Sequence, residues 1–166
     1  DTSIAMSAMG AKVLGVDVSA PMLARARSRD ASIEYQQADA ATTDFARAFD
    51  LVFSRFGVMF FDDAAAAFQN LHNALTSDGR LLFVCWQPPA RNPWMATAGR
   101  AIAPYLPSSD EAPNSRAPGP FAFADARYVE QILQDAGFSR IRIKSHEESL
   151  KVADTLAEAC LLYTSD

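Results

Sequence analysis

The chain has 166 residues, 15 Lys and Arg against 20 Asp and Glu, a formal net charge of −5, and 49% apolar residues. This is a globular composition, the acidic balance argues against nonspecific binding to nucleic acid or anionic lipid, and no apolar run approaches the ~20 residues of a membrane span. Cys85 and Cys160 make neither a disulfide framework nor a zinc cluster, and no basic, apolar leader opens the chain, so the expectation is one reduced, cytoplasmic domain.

Residues 2–9 are rich in Ala and Met without a breaker, and Gly10 follows, which predicts a helix closed by glycine. Residues 12–16 are a short β-branched apolar run ended by Asp17, the pattern of a buried strand. Ser19 stands where an N-cap belongs and Pro21 falls in the first turn, so a helix is predicted to about Arg29, with Met22, Leu23 and Ala26 on one face. A second strand is expected over 33–37, ending at Ala38-Asp39, then a short polar helix or loop over 42–48 and a third strand over 49–54. Asp62-Asp63 opens a helix with Ala64, Phe68, Leu71 and Leu75 at helical spacing. Ser77-Asp78-Gly79 reads as a turn and 80–86 as an apolar strand stopped by Pro88-Pro89.

Residues 88–124 hold eight of the nine prolines, with room for one short helix over 94–102, and form the kind of long connection that serves as a lid or binding loop. Asp125 then caps a helix presenting Tyr128, Val129, Ile132, Leu133 and Ala136 on one face, closed by Gly137. Ile141 and Ile143 alternate with Arg140, Arg142 and Lys144 as in an edge strand, and a last helix is expected over about 153–162. Strand and helix thus alternate four or five times. The fold predicted is α/β, an open parallel sheet covered on both faces, as a single domain over 1–166 with a proline-rich insertion at 88–124. The helical pattern starts directly at the first residues and the chain stops abruptly after Leu161-Leu162-Tyr163, so it reads as an excerpt of a longer protein.

Open parallel sheets bind ligands at the carboxyl ends of their strands. Three predicted strands place Asp17, Asp39 and Ser54-Arg55 there. A carboxylate closing a strand of this kind suits a ribose diol, because it accepts from both hydroxyls in charge-assisted hydrogen bonds of roughly 1.5–3 kcal/mol each. Asp39 suits an adenine amino group; a turn or helix cap is the simpler alternative for each.

Taken together these segments carry a resemblance. Residues 13–27 (VLGVDVSAPMLARAR), 37–40 (QADA), 49–61 (FDLVFSRFGVMFF) and 75–84 (LTSDGRLLFV) resemble, in order and spacing, successive blocks of class I S-adenosylmethionine-dependent methyltransferases, the ubiquinone/menaquinone C-methyltransferase type above all. The resemblance covers about 12–86 and continues into the helix ending at Gly137-Phe138. It implies a Rossmann-like sheet, S-adenosyl-L-methionine as cofactor, and methyl transfer to a small-molecule acceptor. The family's glycine-rich loop is not found, and the family pattern places that loop and its strand before Asp1. The final antiparallel strand is not visible either. The resemblance therefore implies an N-terminally truncated domain lacking its first strand and the last.

Carried over residue by residue, the resemblance puts Asp17 on the ribose, Val18 and Met22 against the adenine, Asp39 and Ala40 on its amino edge, and Ser54 and Phe56 beside the methionine end. For Val18, Met22 and Phe56, core packing is the alternative; Phe53, Phe60 and Phe61 read as core. Trp86, Trp94 and Met95 are candidates for an apolar acceptor pocket, or else pin the connection to the core. His72 and His146 read as solvated, the Arg25, Arg27 and Arg29 side chains as a solvated helix face, and Cys85 as a small buried hydrophobe. No metal-ligand spacing is present and no catalytic residue is identified. Two competing readings stand beside the methyltransferase: a nicotinamide-dependent Rossmann oxidoreductase, which also ends its second strand with an acid, and an inactive fragment.

Overall fold

A computed structural model describes residues 1–45, 49–94, 103–105, 116–149, 151 and 153–155. Helix α1 (Thr2–Ala8) ends at Gly10, whose φ of 89° is left-handed. Strand β1 (Leu14–Asp17) leads into α2 (Ala20–Arg29), where the Ser19 hydroxyl accepts from the Met22 amide at 3.3 Å and proline occupies the first turn. Leu23 is the buried residue of α2, and Arg27 donates to the Tyr35 carbonyl at 2.9 Å while Arg29 pairs with Asp1, so two of the three arginines are engaged rather than merely solvated. Strand β2 (Glu34–Gln37) pairs in parallel with β1 in the register Leu14 to Glu34 through Asp17 to Gln37.

Strands β3 (Phe49–Arg55) and β4 (Leu75–Val84) form a second parallel pair, separated in sequence by α3 (Ala64–Asn73). Asp63 caps α3 by accepting from the Ala66 amide at 3.0 Å. The expected turn at Ser77-Asp78-Gly79 is not a strand break. Register jumps from Phe49–Leu75 to Leu51–Arg80, so β4 starts at Leu75 and bulges. Gly79 makes this close approach possible, since a Cβ there would lie 2.8 Å from the Phe49 carbonyl oxygen. At the other end β4 stops at Val84, two residues short of the predicted Trp86.

Helix α4 (Ala126–Asp135) is capped by Asp125, which accepts from the Arg127 amide at 2.9 Å, and is followed by Gly137 at φ 93°. Its Val129, Ile132 and Leu133, with Ala136 beyond, meet Phe68 and Leu71 of α3 and Val58 and Met59 in one core. In a parallel pair, residues in register share a face, so Val52, Leu81 and Phe83 turn toward this core. Ala122 and Phe123 also belong to it, and the Gly119 amide donates to the Met59 carbonyl at 3.0 Å. The last part of the predicted lid is therefore core: an apolar Ala-Phe pair gains more from burial than a polar loop does. The opposite face of β3–β4 leaves Leu51, Leu82 and Val84 exposed.

The parallel α/β architecture is as expected, with the described strands in two separate two-stranded sheets, β1–β2 and β3–β4, and no described strand between β1 and β3, in keeping with a sheet that lacks its first strand. Several other expectations are corrected. Ile141 and Ile143 form no edge strand, because no described strand gives that stretch a ladder partner; the chain enters it through Arg140 at φ 55°, a left-handed turn. Phe60 is not core but 54% exposed, because it sits in a one-turn 3-10 segment (Val58–Phe60) whose buried side is taken by Val58 and Met59. His72 is half-buried rather than fully solvated: its ring stands edge-on to Phe138 at 4.9 Å, in the space that Gly137 leaves without a Cβ. Cys85 is half-buried rather than buried. Met95, Cys160 and most of the helices expected over 94–102 and 153–162 lie outside the described residues; Ala153, Asp154 and Thr155 are not helical. Among the described residues no helix is long and apolar enough to cross a membrane.

Candidate functional site

Parallel pairing brings the ends of β1 and β2 to one rim. The Ala38 amide donates to the Asp17 carbonyl at 3.1 Å, which fixes Asp39 two residues beyond Asp17's partner Gln37. Asp17 is half-buried and its Oδ1 accepts from the Ser19 amide at 2.8 Å. Gln37 Nε2 reaches the Val18 carbonyl at 3.1 Å and holds the turn. Asp39 is exposed; its Oδ1 accepts from the Ala41 amide at 2.8 Å. Each carboxylate thus spends one oxygen on its own turn, and the cap reading holds for that oxygen. The second oxygen of each accepts from no described residue. Val18 and Met22 are 63% and 58% exposed, so core packing is excluded for both.

One residue the sequence reading missed secures this rim. Asn70 of α3 donates through Nδ2 to the Ala40 carbonyl at 3.1 Å and the Thr43 carbonyl at 2.9 Å. Ala40 itself packs against the core. The signal was available: Asn70 is a polar residue directly beside the buried Ala67–Phe68–Leu71 stripe of α3.

The second rim lies at the end of β3 and β4. Ser54 is half-buried, and the missing Cβ of Gly57 leaves its hydroxyl room, since a carbon there would stand 3.1 Å from Ser54 Oγ. Phe56 has φ 61°, a conformation that costs a non-glycine residue ~1–3 kcal/mol, and its amide donates to the Val84 carbonyl at 2.9 Å. The ring recovers contact by stacking on Trp86, with centroids 4.2 Å apart and planes at 11°. Trp94 meets Trp86 edge-on at 5.5 Å. Phe56 and Trp86 also pack against the core, which is the alternative considered for Phe56.

The remaining titratable groups stand apart. Burial pushes the Cys85 thiol up from its ordinary range, and its Sγ lies 3.8 Å from the Phe123 carbonyl, which keeps it a thiol. His146 is exposed, 3.7 Å from Glu148. Hydrogen bonds from Ser32 lower the Asp30 carboxyl, a turn cap behind α2. Among the described residues no cluster of three His, Cys, Asp or Glu side chains has the geometry to hold a metal ion. A hollow of about 250 Å³ among the described residues, lined by Ala126, Arg127, Glu130, Ile141 and Ile143, includes no residue of either rim.

Two acids closing neighbouring parallel strands, with exposed apolar side chains beside the first, stand at the carboxyl rim where open α/β sheets take their ligands. Residues 2–83 match the methyltransferase domain family. The demethylmenaquinone methyltransferase of Chlorobaculum parvum is 38% identical over 150 residues, 79% of this chain and 58% of that protein. The malonyl-acyl-carrier-protein O-methyltransferase of Enterobacter lignolyticus is 38% identical over 92 residues, 52% of this chain and 37% of that protein. A solved structure from Bordetella parapertussis, 18% identical and covering 81% of this chain and 49% of its own, has a TM-score of 0.59 and shares the fold. Over residues 2–83 the chain belongs to the methyltransferase domain family, and it spans only 58% and 37% of the length of these two curated relatives.

Proposed function

We propose that the protein is an S-adenosylmethionine-dependent methyltransferase of the cytoplasm that acts on a small-molecule acceptor. The observation that carries this reading is the pair of acids, Asp17 and Asp39, on one rim of β1 and β2. The donor set fits: Asp17 offers a carboxylate oxygen to a ribose diol, and Asp39, which stands more exposed, offers one to an adenine amino group. Val18 and Met22 flank Asp17 and supply apolar surface for the base, and the Ala40 backbone, held by Asn70, borders its edge. Ser54 and Phe56 flank the methionine end from the second rim.

When bound, the cofactor supplies an activated methyl on a sulfonium. The chain's own contribution is to orient that methyl against the acceptor and to exclude water, which is proximity catalysis. A longer chain completes this site. β1 and β3 each expose an edge to no described strand, and Leu51, Leu82 and Val84 leave one face of β3–β4 bare, whereas parallel sheets are covered on both faces. A further parallel strand between β1 and β3, followed by a tight turn, would close the sheet and cradle the methionine end.

Calorimetry of the full-length protein against S-adenosylhomocysteine and NADH tests the reading. Tight binding of S-adenosylhomocysteine with no heat from NADH is expected; the reverse pattern establishes the oxidoreductase instead.

A further inference from the structure

The only two tryptophans of the chain lie in one cluster, and the turn that brings them together is built by an unusual residue. Asn92 is the buried polar side chain among the described residues, at 7% exposure. Its Nδ2 donates to the Gln87 carbonyl at 2.8 Å and to the Pro88 carbonyl at 3.2 Å. The chemistry explains why. Pro88 and Pro89 have no N–H, so the stretch leaving β4 is short of backbone donors, and the asparagine amide supplies two where proline cannot. The amides of Arg91 and Asn92 close the same one-turn segment onto the Pro88 and Pro89 carbonyls at 2.8 and 3.0 Å. From outside, Gln87 Nε2 donates to the His146 carbonyl at 3.2 Å and Arg91 pairs with Glu147. The chain therefore reverses within seven residues and returns Trp94 to the edge of Trp86, which is stacked on Phe56.

Phe56 and Trp86 stand just past the ends of the neighbouring strands β3 and β4, so these three rings form a continuous aromatic surface at the carboxyl rim. Trp94 remains 38% exposed, which leaves ring surface for a ligand. The charge carried by the turn, Arg91, is already neutralised by Glu147. Such a surface offers π faces, and its three rings carry no charge of their own.

We propose that Phe56, Trp86 and Trp94 form the acceptor wall of the site, that the acceptor presents to it a planar, uncharged conjugated ring, and that Asn92 is the positioning residue that holds the wall together. This assignment rests on the methyltransferase reading for the word acceptor, but the wall itself is tested separately.

Both tryptophans of this chain are in the wall, so the part of the near-ultraviolet circular dichroism and emission of the full-length protein that a Trp86→Phe, Trp94→Phe double variant loses reports on it. In the full-length protein, 2-naphthol is expected to quench the emission saturably. Trp94→Ala weakens 2-naphthol at least tenfold and leaves the S-adenosylhomocysteine dissociation constant within twofold. Asn92→Ala, and the isosteric Asn92→Asp that replaces donors with acceptors, keep the far-ultraviolet spectrum, lose the coupled near-ultraviolet signal and weaken 2-naphthol by a similar factor. Unsaturable quenching in the parent protein, or a Trp94→Ala variant that binds 2-naphthol as well as the parent, overturns the wall. Saturable quenching by tetramethylammonium instead of 2-naphthol overturns the uncharged ring. Asn92 variants that keep the near-ultraviolet signal, or that both lose the fold altogether, overturn the positioning role. If 2-naphthol binds while S-adenosylhomocysteine does not, the cofactor reading fails and the wall stands.

Discussion

The two strand pairs of this molecule divide its labour. β3 and the second half of β4 are rich in apolar residues, and with α3 and α4 they enclose nearly all of the buried side chains among the described residues. β1 and β2 are short; β2 reads Glu-Tyr-Gln-Gln and is mostly exposed, and the buried residues beside this pair are Leu23 and Ile33. Yet the polar pair carries both acids proposed to hold the cofactor, while the apolar pair ends in rings. Stability and the proposed nucleoside recognition therefore sit on different parts of the chain, because a rim carboxylate must stay near water to receive a ligand and a core side chain must leave it.

The largest effects should expose that division. Phe68 is fully buried between Phe61, Phe83 and Phe123, so Phe68→Ala is expected to cost ~3–5 kcal/mol of unfolding free energy in urea. Leu23→Ala, in the thinner pair, is expected at ~2 kcal/mol, the low end for that substitution. Equal losses would mean that the two pairs form one cooperative core after all. Next comes Asp17. Asp17→Ala is expected to weaken S-adenosylhomocysteine tenfold or more, ~1.4 kcal/mol upward, by calorimetry. Asp17→Asn keeps an oxygen for the Ser19 amide but loses the charge, so it should bind as weakly while melting within about 2 °C of the parent. An unchanged dissociation constant in either variant would remove the ribose role.

A smaller effect is expected where the two pairs are tied. Asn70 lies on α3, part of the apolar core, but its amide holds the Ala40 and Thr43 carbonyls of the polar rim. Asn70→Ala should cost ~1 kcal/mol of stability and weaken S-adenosylhomocysteine about threefold, with both changes measured on one preparation. A loss of stability without any change in affinity would show that the rim does not depend on α3 for its shape.

Local signals were legible in the sequence and long-range ones were not. Ser19, Asp63 and Asp125 each precede an apolar helical run, and each caps its helix, because N-capping is decided within three residues. Gly10 and Gly137 were equally plain as helix ends that need left-handed φ. The acids at 17 and 39 could be placed because a strand's end and its following polar residue are adjacent in the chain. What failed depends on partners far away. Ser77-Asp78-Gly79 has the composition of a turn, and only the Phe49 carbonyl pressing on Gly79 makes it a bulge in β4. Ile141 and Ile143 alternate like a strand but lack a described neighbour to pair with. His72 has polar neighbours in sequence, and Phe138 covers it from another element. Asn70 stands out in the sequence only as a polar residue beside an apolar stripe, and its two acceptors lie about thirty residues earlier. The break between the two sheets has no signal in the strands themselves, each of which reads as a normal buried or half-buried strand; only the resemblance, which implies a domain lacking its first strand, points to it.

The smallest effect belongs to the apolar side alone and concerns pH. Cys85 follows β4, and its thiol is raised above the ordinary value of 9.0 by burial alone. The sign of the consequence is fixed by linkage. Between the unfolded and folded values the unfolded chain releases the proton while the native chain keeps it, so the thiol's contribution is fully present below about pH 9.0 and is lost as pH rises through the folded value. The parent protein should therefore lose stability between pH 8.5 and 10 more steeply than Cys85→Ala, by a few tenths of a kcal/mol in urea titrations, because the thiol is only half-buried. Cys160 is common to both proteins and cancels in the difference. Parallel pH profiles would mean that water reaches the Cys85 thiol in the native state, and with it the end of β4 on which the Trp86 ring is carried.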